Sequence, residues 1–336
     1  MNTHPRTALV TGATSGLGLE VAAQLAAKGG GPVIITGRSQ AKASEARQQL
    51  AARVGHDPFE TLVLDNDDLR SVEAAAVTLV ERGGQIDLLI LNAGIAPGKE
   101  VSMSPDGIER TISSTVTGHH VLTMRLLEHG LIGPDADIVI ASSEAARGDV
   151  PMFHPVDFET LADEAFDGDI EAAIEAQIRM DPPATFKPGD QYATAKVLVA
   201  WWTAELARRL PEGVSVNAVS PGSTPDTNAV RNAPFLMRYV LLPMFKFMPG
   251  MSHDVSDGAG RHLEVADRGP EVSGQTFASP PKKMIGPLVR MEQPHIVDVA
   301  NQRAGWQAIV GTSGVDYPEL VAEAGLAAEA GLAAAA

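Results

Sequence analysis

Tyr192 and Lys196 stand four residues apart in Tyr192-Ala193-Thr194-Ala195-Lys196, at the head of an alanine-rich apolar run through Val197, Leu198, Trp201, Trp202 and Leu206. Such a run predicts a buried helix, and residues four apart on a helix share a face. An ammonium is thereby carried toward a phenol. A free phenol ionises near pH 10, and a fixed positive charge beside it favours the phenolate, so this pair could exchange a proton near neutral pH. Taken alone, the five residues fit a chance pair on a helix equally well. What decides between the two is the set of elements that position them.

The chain has 336 residues, 44% of them hydrophobic, enough for one α/β domain with insertions. Lys and Arg number 26 against 42 Asp and Glu, a net charge of −16, which argues against nucleic acid or an anionic membrane surface as partner. There is no cysteine, which excludes disulfides, thiolate metal sites and cysteine nucleophiles. No apolar signal region opens the sequence, and no eighteen uncharged apolar residues occur together, so no integral membrane segment and a cytoplasmic location are expected. His119 and His120 have no carboxylate or thiol at metal-ligand spacing, and no metal is expected.

Strand and helix alternate from the start. A strand at Thr7 to Val10 runs into Thr11-Gly12-Ala13-Thr14-Ser15-Gly16-Leu17-Gly18, followed by a helix from Leu19 to about Lys28. Glycines let a backbone approach a phosphate, and the free N–H groups of a helix start face the anion. A second strand, Pro32 to Ile35, ends at Thr36-Gly37-Arg38, and a third, Thr61 to Leu64, ends at Asp65-Asn66. The fourth, Ile86 to Leu91, ends at Asn92-Ala93-Gly94 and runs apolar without a break from Leu88, as a sheet covered on both faces requires. A helix is predicted over roughly Pro105 to Glu128. Asp137 to Ala141 forms a fifth strand ending at Ser142-Ser143, and Val214 to Val219 a sixth ending at Ser220-Pro221-Gly222. These units predict a doubly wound parallel sheet with helices on both faces.

The spacing of Gly12, Gly16 and Gly18 resembles the TGxxxGxG turn of the short-chain dehydrogenase/reductase family. Asn92-Ala93-Gly94, Ser143, the Tyr192/Lys196 pair and the Pro221-Gly222 turn follow in that family's order. The resemblance covers roughly residues 6 to 150 and 188 to 280, and implies a nicotinamide cofactor. Gly12, Thr14, Ser15, Gly16, Leu17 and Gly18 would then cradle the pyrophosphate, with Asn92, Ala93 and Gly94 beside it and Asp65 and Asn66 near the adenine. Arg38 stands where an acidic residue would bind a ribose 2′-hydroxyl, and favours the 2′-phosphate of NADP(H). Pro221, Gly222 and either Thr224 or Thr227 would reach the nicotinamide. Ser143 would hold the substrate oxygen, Tyr192 exchange its proton, and Lys196 lower the phenol's pKa and hold the ribose. The family's relay asparagine is replaced by Thr115, whose single hydroxyl can still hold a water.

Two further departures shape the expectation. Tyr192 follows Ser143 by 49 positions, far more than in most of the family, and the extra length at 149–189 holds a predicted helix, Asp169 to Met180. Because it leaves at the serine and returns at the tyrosine, the insertion is expected to cover the mouth of the site, as in retinol-dehydrogenase-like members. The stretch from Pro234 to Met251, within a substrate-loop region at 225–260, contains four of the eleven methionines and suggests an adaptable apolar pocket. The domain is expected to close near 280, with an appended segment at 281–318 and an alanine-rich tail at 319–336. The function expected is hydride transfer to or from a small hydrophobic ketone, aldehyde or secondary alcohol, by a homodimer or tetramer. The alternatives are a catalytically impaired cofactor-binding regulator or scaffold and, behind it, a sugar-nucleotide epimerase.

Overall fold

The structure is a computed structural model, and it describes residues 6–224 and 252–318. These form an eight-stranded sheet from β1 (Ala8–Val10), β2 (Val33–Gly37), β3 (Phe59–Val63), β4 (Ile86–Leu91), β5 (Ile132–Ala141), β6 (Ser215–Val219), β7 (Thr276–Ala278) and β8 (Val289–Arg290). The order is β3-β2-β1-β4-β5-β6-β7-β8; neighbours pair in parallel up to β7, and β8 closes the edge antiparallel. The chain order reverses between β1 and β4. The crevice above their carboxyl ends is where a doubly wound sheet binds its ligand.

Helices cover both faces because the strands are apolar on both. On one side lie α1 (Gly16–Ala27), α2 (Gln40–Val54) and, after the sixth strand, a helix at Val255–Ala266. On the other lie α3 (Leu69–Arg82), α4 (Arg110–Ile112), α5 (Gly118–Glu128) and α8 (Pro188–Ala207). The single helix expected over 105–128 is broken: Gly107 has φ +73°, Glu109 caps the N–H groups of Thr111 and Ile112, and a π-helical turn occupies Ser113–Thr117. The Ser114 hydroxyl donates to the Arg110 carbonyl at 2.7 Å. Hydroxyls that bond the preceding turn compete with the regular ladder.

The insertion forms α6 (Phe158–Ala165) and α7 (Ile170–Arg179), the second nearly as predicted. Ile174 and Ile178 are buried, and Phe158 meets Trp201 of α8 at 5.8 Å between ring centres. We number the Val255–Ala266 helix α9; α10 (Pro294–Val297) and α11 (Val299–Ser313) follow. The 281–318 segment is part of the core rather than an appendage: Met291, Ile296, Trp306 and Ile309 join the main cluster. At Gly305 of α11 a Cβ would lie 2.8 Å from the Trp201 ring, so α11 and α8 approach as closely as a glycine permits. Among the described residues no helix is long and apolar enough to cross a membrane. Thr227, the methionine-rich stretch to Met251 and the 319–336 tail lie outside the described residues.

Candidate active site

The crevice is built from backbone. Gly12 and Gly16 adopt φ +64° and +57°, and at Gly18 a Cβ would stand 2.5 Å from Asn92 Nδ2 and 2.6 Å from the Gly12 carbonyl. No side chain fits there. The Thr11 hydroxyl accepts from the N–H groups of Asn92 and Ala93 at 2.9 and 3.0 Å, and Asn92 Nδ2 donates to the Thr11 carbonyl at 3.1 Å, joining the ends of β1 and β4. A cavity of about 210 Å³ opens above them. Gly12, Thr14, Ser15, Gly16 and Leu17 line one side, Arg38, Asp65 and Asn66 another, and Asn92, Ala93 and Gly94 the floor. Ser15, at the N-cap of α1, makes no capping hydrogen bond, leaving the first N–H groups of the helix open to an anion. Arg38 is exposed and has no ion pair among the described residues. The turn, the open helix start and the free guanidinium fit a dinucleotide carrying a phosphate.

Sequence reasoning missed Arg110 and Asp67, which also line the cavity and form an ion pair. No local pattern marks them, because the start of the short helix α4 and a loop 43 residues away meet only in the fold.

The second half of the site lies at the ends of β5 and β6. Ser143 caps a 3₁₀ turn, Glu144–Arg147, by accepting the Ala145 N–H at 3.2 Å, and its side chain lies near enough to the Tyr192 phenol to favour the phenolate. One helical turn further, Lys196 Nζ lies 5.7 Å from the Tyr192 ring centre and donates to the Ala141 carbonyl at 2.8 Å. Phe153 packs edge-on against Tyr192 at 5.9 Å. The stretch around Phe153 lies against the phenol and is tied down where Val156 N–H donates to Thr194 at 3.0 Å.

The electrostatics depart from expectation. Burial pushes the Tyr192 phenol above 10, the nearby Ser143 side chain opposes this, and the charge of Glu144 adds to it. Lys196 does not pull it down in this state. Buried without a carboxylate partner, Lys196 is itself lowered to about 7, so its positive charge is only partly present near neutrality.

Thr115 is buried in the π-helical turn, and its hydroxyl has no hydrogen-bond partner; it lies 3.1 Å from where a Gly94 Cβ would be. The Thr115 carbonyl accepts from His119 Nδ1 at 3.0 Å, and His119 Nε2 meets the Thr11 hydroxyl at 2.9 Å. A carbonyl only accepts, so Nδ1 carries the proton and Nε2 accepts from Thr11. Burial lowers the His119 pKa to about 3, which keeps the ring neutral. His120 is likewise buried, accepting from Trp202 Nε1 at 3.1 Å. Neither histidine belongs to a metal cluster among the described residues. In the turn after β6, Gly222 has φ +76°, Pro221 accepts from His253, and Thr224 and Leu17 meet at Gly258 of α9. Of the two threonines open in sequence, Thr224 stands beside the glycine turn.

A parallel sheet that reverses at β1 and β4, with a phosphate cradle at the reversal and a hydroxyl, a phenol and an amine two strands away, is the frame of the nicotinamide-dependent oxidoreductases. Residues 6–155 match the family profile described as short chain dehydrogenase. The likeness is to the short-chain dehydrogenase/reductase family, and the profile spans a little under half of the chain. Among its relatives, a short chain dehydrogenase/reductase of Colletotrichum higginsianum is 26% identical over 93% of this chain and 77% of its own. Retinol dehydrogenase 14 of Mus musculus is 34% identical over 65% of this chain and 61% of its own. The fold is shared with a short chain dehydrogenase of Burkholderia cenocepacia in complex with NADP. That structure is 24% identical, with a TM-score of 0.56 over 81% of this chain and 95% of the other.

Proposed function

We propose that the protein is an NADP(H)-dependent oxidoreductase acting on a hydrophobic ketone, aldehyde or secondary alcohol. The observation that carries this reading is the gathering of Ser143, Tyr192 and Lys196 in one place, with Lys196 Nζ 5.7 Å from the Tyr192 ring centre and the Ser143 side chain beside the phenol. NADPH, when bound, supplies the hydride. The Ser143 hydroxyl and the Tyr192 phenol orient the carbonyl oxygen, and a protonated phenol, which burial favours, gives its proton to that oxygen as negative charge develops. Lys196 holds positive charge near the phenol once protonated. Arg38 favours the 2′-phosphate of NADP(H), consistent with the Burkholderia structure, which is a complex with NADP. Phe153 supplies an apolar wall beside the phenol.

A second reading, a cofactor-binding regulator without turnover, is favoured by the unpartnered Thr115 hydroxyl where the family has a relay asparagine. The two separate in one experiment. Wild type should consume NADPH with members of a panel of hydrophobic ketones and aldehydes, and Tyr192→Phe should lose about 10²- to 10⁴-fold in turnover while binding NADPH as before. Equal turnover in the variant would remove Tyr192 from the chemistry, and tight NADPH binding with no turnover of any panel member would favour the regulator. Assembly into a dimer or tetramer through α8 is disfavoured, since α6, α10 and α11 of the same chain pack along it.

A further inference from the structure

Glu144 follows Ser143 directly and is only 2% exposed. A carboxylate held that deep is costly unless it is paired and fully hydrogen-bonded. Its partners come from two neighbouring strand ends and a helix. After β6, the Ser220 hydroxyl donates to Oε2. After β7, Ser279 donates to Oε1 twice, from its N–H at 3.2 Å and its hydroxyl at 2.9 Å. From α9, Arg261 Nη1 stands 3.6 Å from Oε1. Arg261 is itself 6% exposed and donates to the Ser220 carbonyl at 3.2 Å, the Ser279 hydroxyl at 3.1 Å and the Gly286 carbonyl at 2.6 Å. The Ser220 hydroxyl also accepts from the Gly222 N–H at 3.1 Å, which extends the network into the 221–224 turn. Strands β5, β6 and β7 are adjacent in the sheet, so one carboxylate joins three successive strand ends.

We propose that Glu144 is a positioning residue: clasped by Ser220, Ser279 and Arg261, it fixes the backbone that carries Ser143, so that the Ser143 hydroxyl faces the Tyr192 phenol. This rests on the reading of Tyr192 as proton donor. The clasp also acts through charge. The groups that face the phenol are the Ser143 hydroxyl, Glu144 as the negative charge and Lys196 on its own helix. At the head of α8, Asp190 is engaged by the His154 N–H at 3.0 Å and by Lys187 at 3.7 Å. The position of Glu144 thus sets where the Ser143 hydroxyl stands, while its charge opposes ionisation of the phenol.

These two effects separate without any substrate. The chain has three tyrosines, so ring-carbon-labelled tyrosine gives three NMR signals, and loss of one in Tyr192→Phe assigns it. Glu144→Gln preserves shape and removes charge; the Tyr192 titration should fall by roughly one pH unit, a tenfold change in ionisation. Should that variant not fold, Glu144→Gln combined with Arg261→Met leaves no unpaired buried charge, and the same downward shift is expected. Ser279→Ala keeps the charge but loosens the clasp, and at pH 8 it should move the Tyr192 signal in the direction that Ser143→Ala moves it. A Tyr192 titration unmoved in the folded Glu144 variant, or a Tyr192 signal unmoved in Ser279→Ala, would overturn the proposal. Neither measurement needs turnover, so failure of the clasp is distinguishable from failure of the oxidoreductase reading, which the Tyr192→Phe kinetics test.

Discussion

The two ends of the crevice are held by opposite means. At the cofactor end the ties are mostly neutral, beside the Arg110–Asp67 ion pair: glycines in left-handed conformations, backbone N–H groups on the Thr11 hydroxyl, and a histidine kept uncharged by burial. At the carbonyl end the ties are charged and deep. Glu144 and Arg261 join strand ends, and Arg147, 4% exposed, donates to the carbonyls of Ser279 at 2.5 Å and Lys283 at 2.9 Å. Neutral ties fix shape and leave ionisation alone. Charged ties fix shape and set the ionisation of whatever stands beside them. A phosphate cradle needs only the first, whereas a phenol that must move a proton can use the second.

Substitutions should therefore split by region. The largest effect expected is the turnover loss in Tyr192→Phe with NADPH affinity intact. Next comes acid sensitivity from the neutral ties. His119, His120 and His262 have folded pKa values of about 3, 4 and 4 against 6.5, all lowered by burial. Between those values the unfolded chain binds the protons and the fold does not, so stability is lost as pH falls below about 6.5, by up to roughly 1.4 kcal/mol per pH unit for each ring. Urea midpoints measured from pH 7 to 4.5 should drop steeply; midpoints flat across that range would mean the rings are not buried neutral. Smaller again is Arg38→Ala. Loss of one charge-assisted contact of about 1.5–3 kcal/mol should weaken NADPH binding roughly ten- to a hundredfold and leave NADH binding unchanged. Equal weakening of both would place Arg38 away from the 2′-phosphate.

The same contrast explains what the sequence revealed. Neutral, backbone-built features are local: Gly12, Gly16, Gly18 and the Asn92-Ala93-Gly94 turn lie between a strand and a helix, and the sheet order follows from their alternation. The Tyr192/Lys196 spacing was legible for the same reason, since four residues on one helix fix a shared face. Charged ties are long-range. Glu144 meets Ser279 across 135 positions and Arg110 meets Asp67 across 43, so no periodicity announces either. Periodicity gave α7 but not where it packs, because a stripe of Ile170, Ile174 and Ile178 seeks any apolar face, and α11 offered one. What helix spacing does not carry is burial: it brings Lys196 to the phenol but says nothing of the enclosure that lowers the Lys196 pKa.

Thr115 lies where the two kinds of tie meet, and its replacement by valine should have the smallest effect and the sharpest meaning. The hydroxyl is fully enclosed with no protein partner, beside Gly94 of the cradle and one helical turn from His119. A buried hydroxyl left unsatisfied costs about 1–3 kcal/mol, so an idle one should give a more stable protein when an isosteric methyl replaces it. A hydroxyl that holds a water on the path to Lys196 gives a different pattern: no gain in stability, since the water's hydrogen bonds are lost with it, and a severalfold fall in turnover at unchanged NADPH affinity. We expect the second pattern, because an enclosed hydroxyl beside Gly94 of the cradle is better explained by a bound water than by a standing penalty. A Thr115→Val protein stabilised by about 1 kcal/mol in urea denaturation, with turnover intact, would show that the cradle stands apart from the proton chemistry and that the relay runs elsewhere.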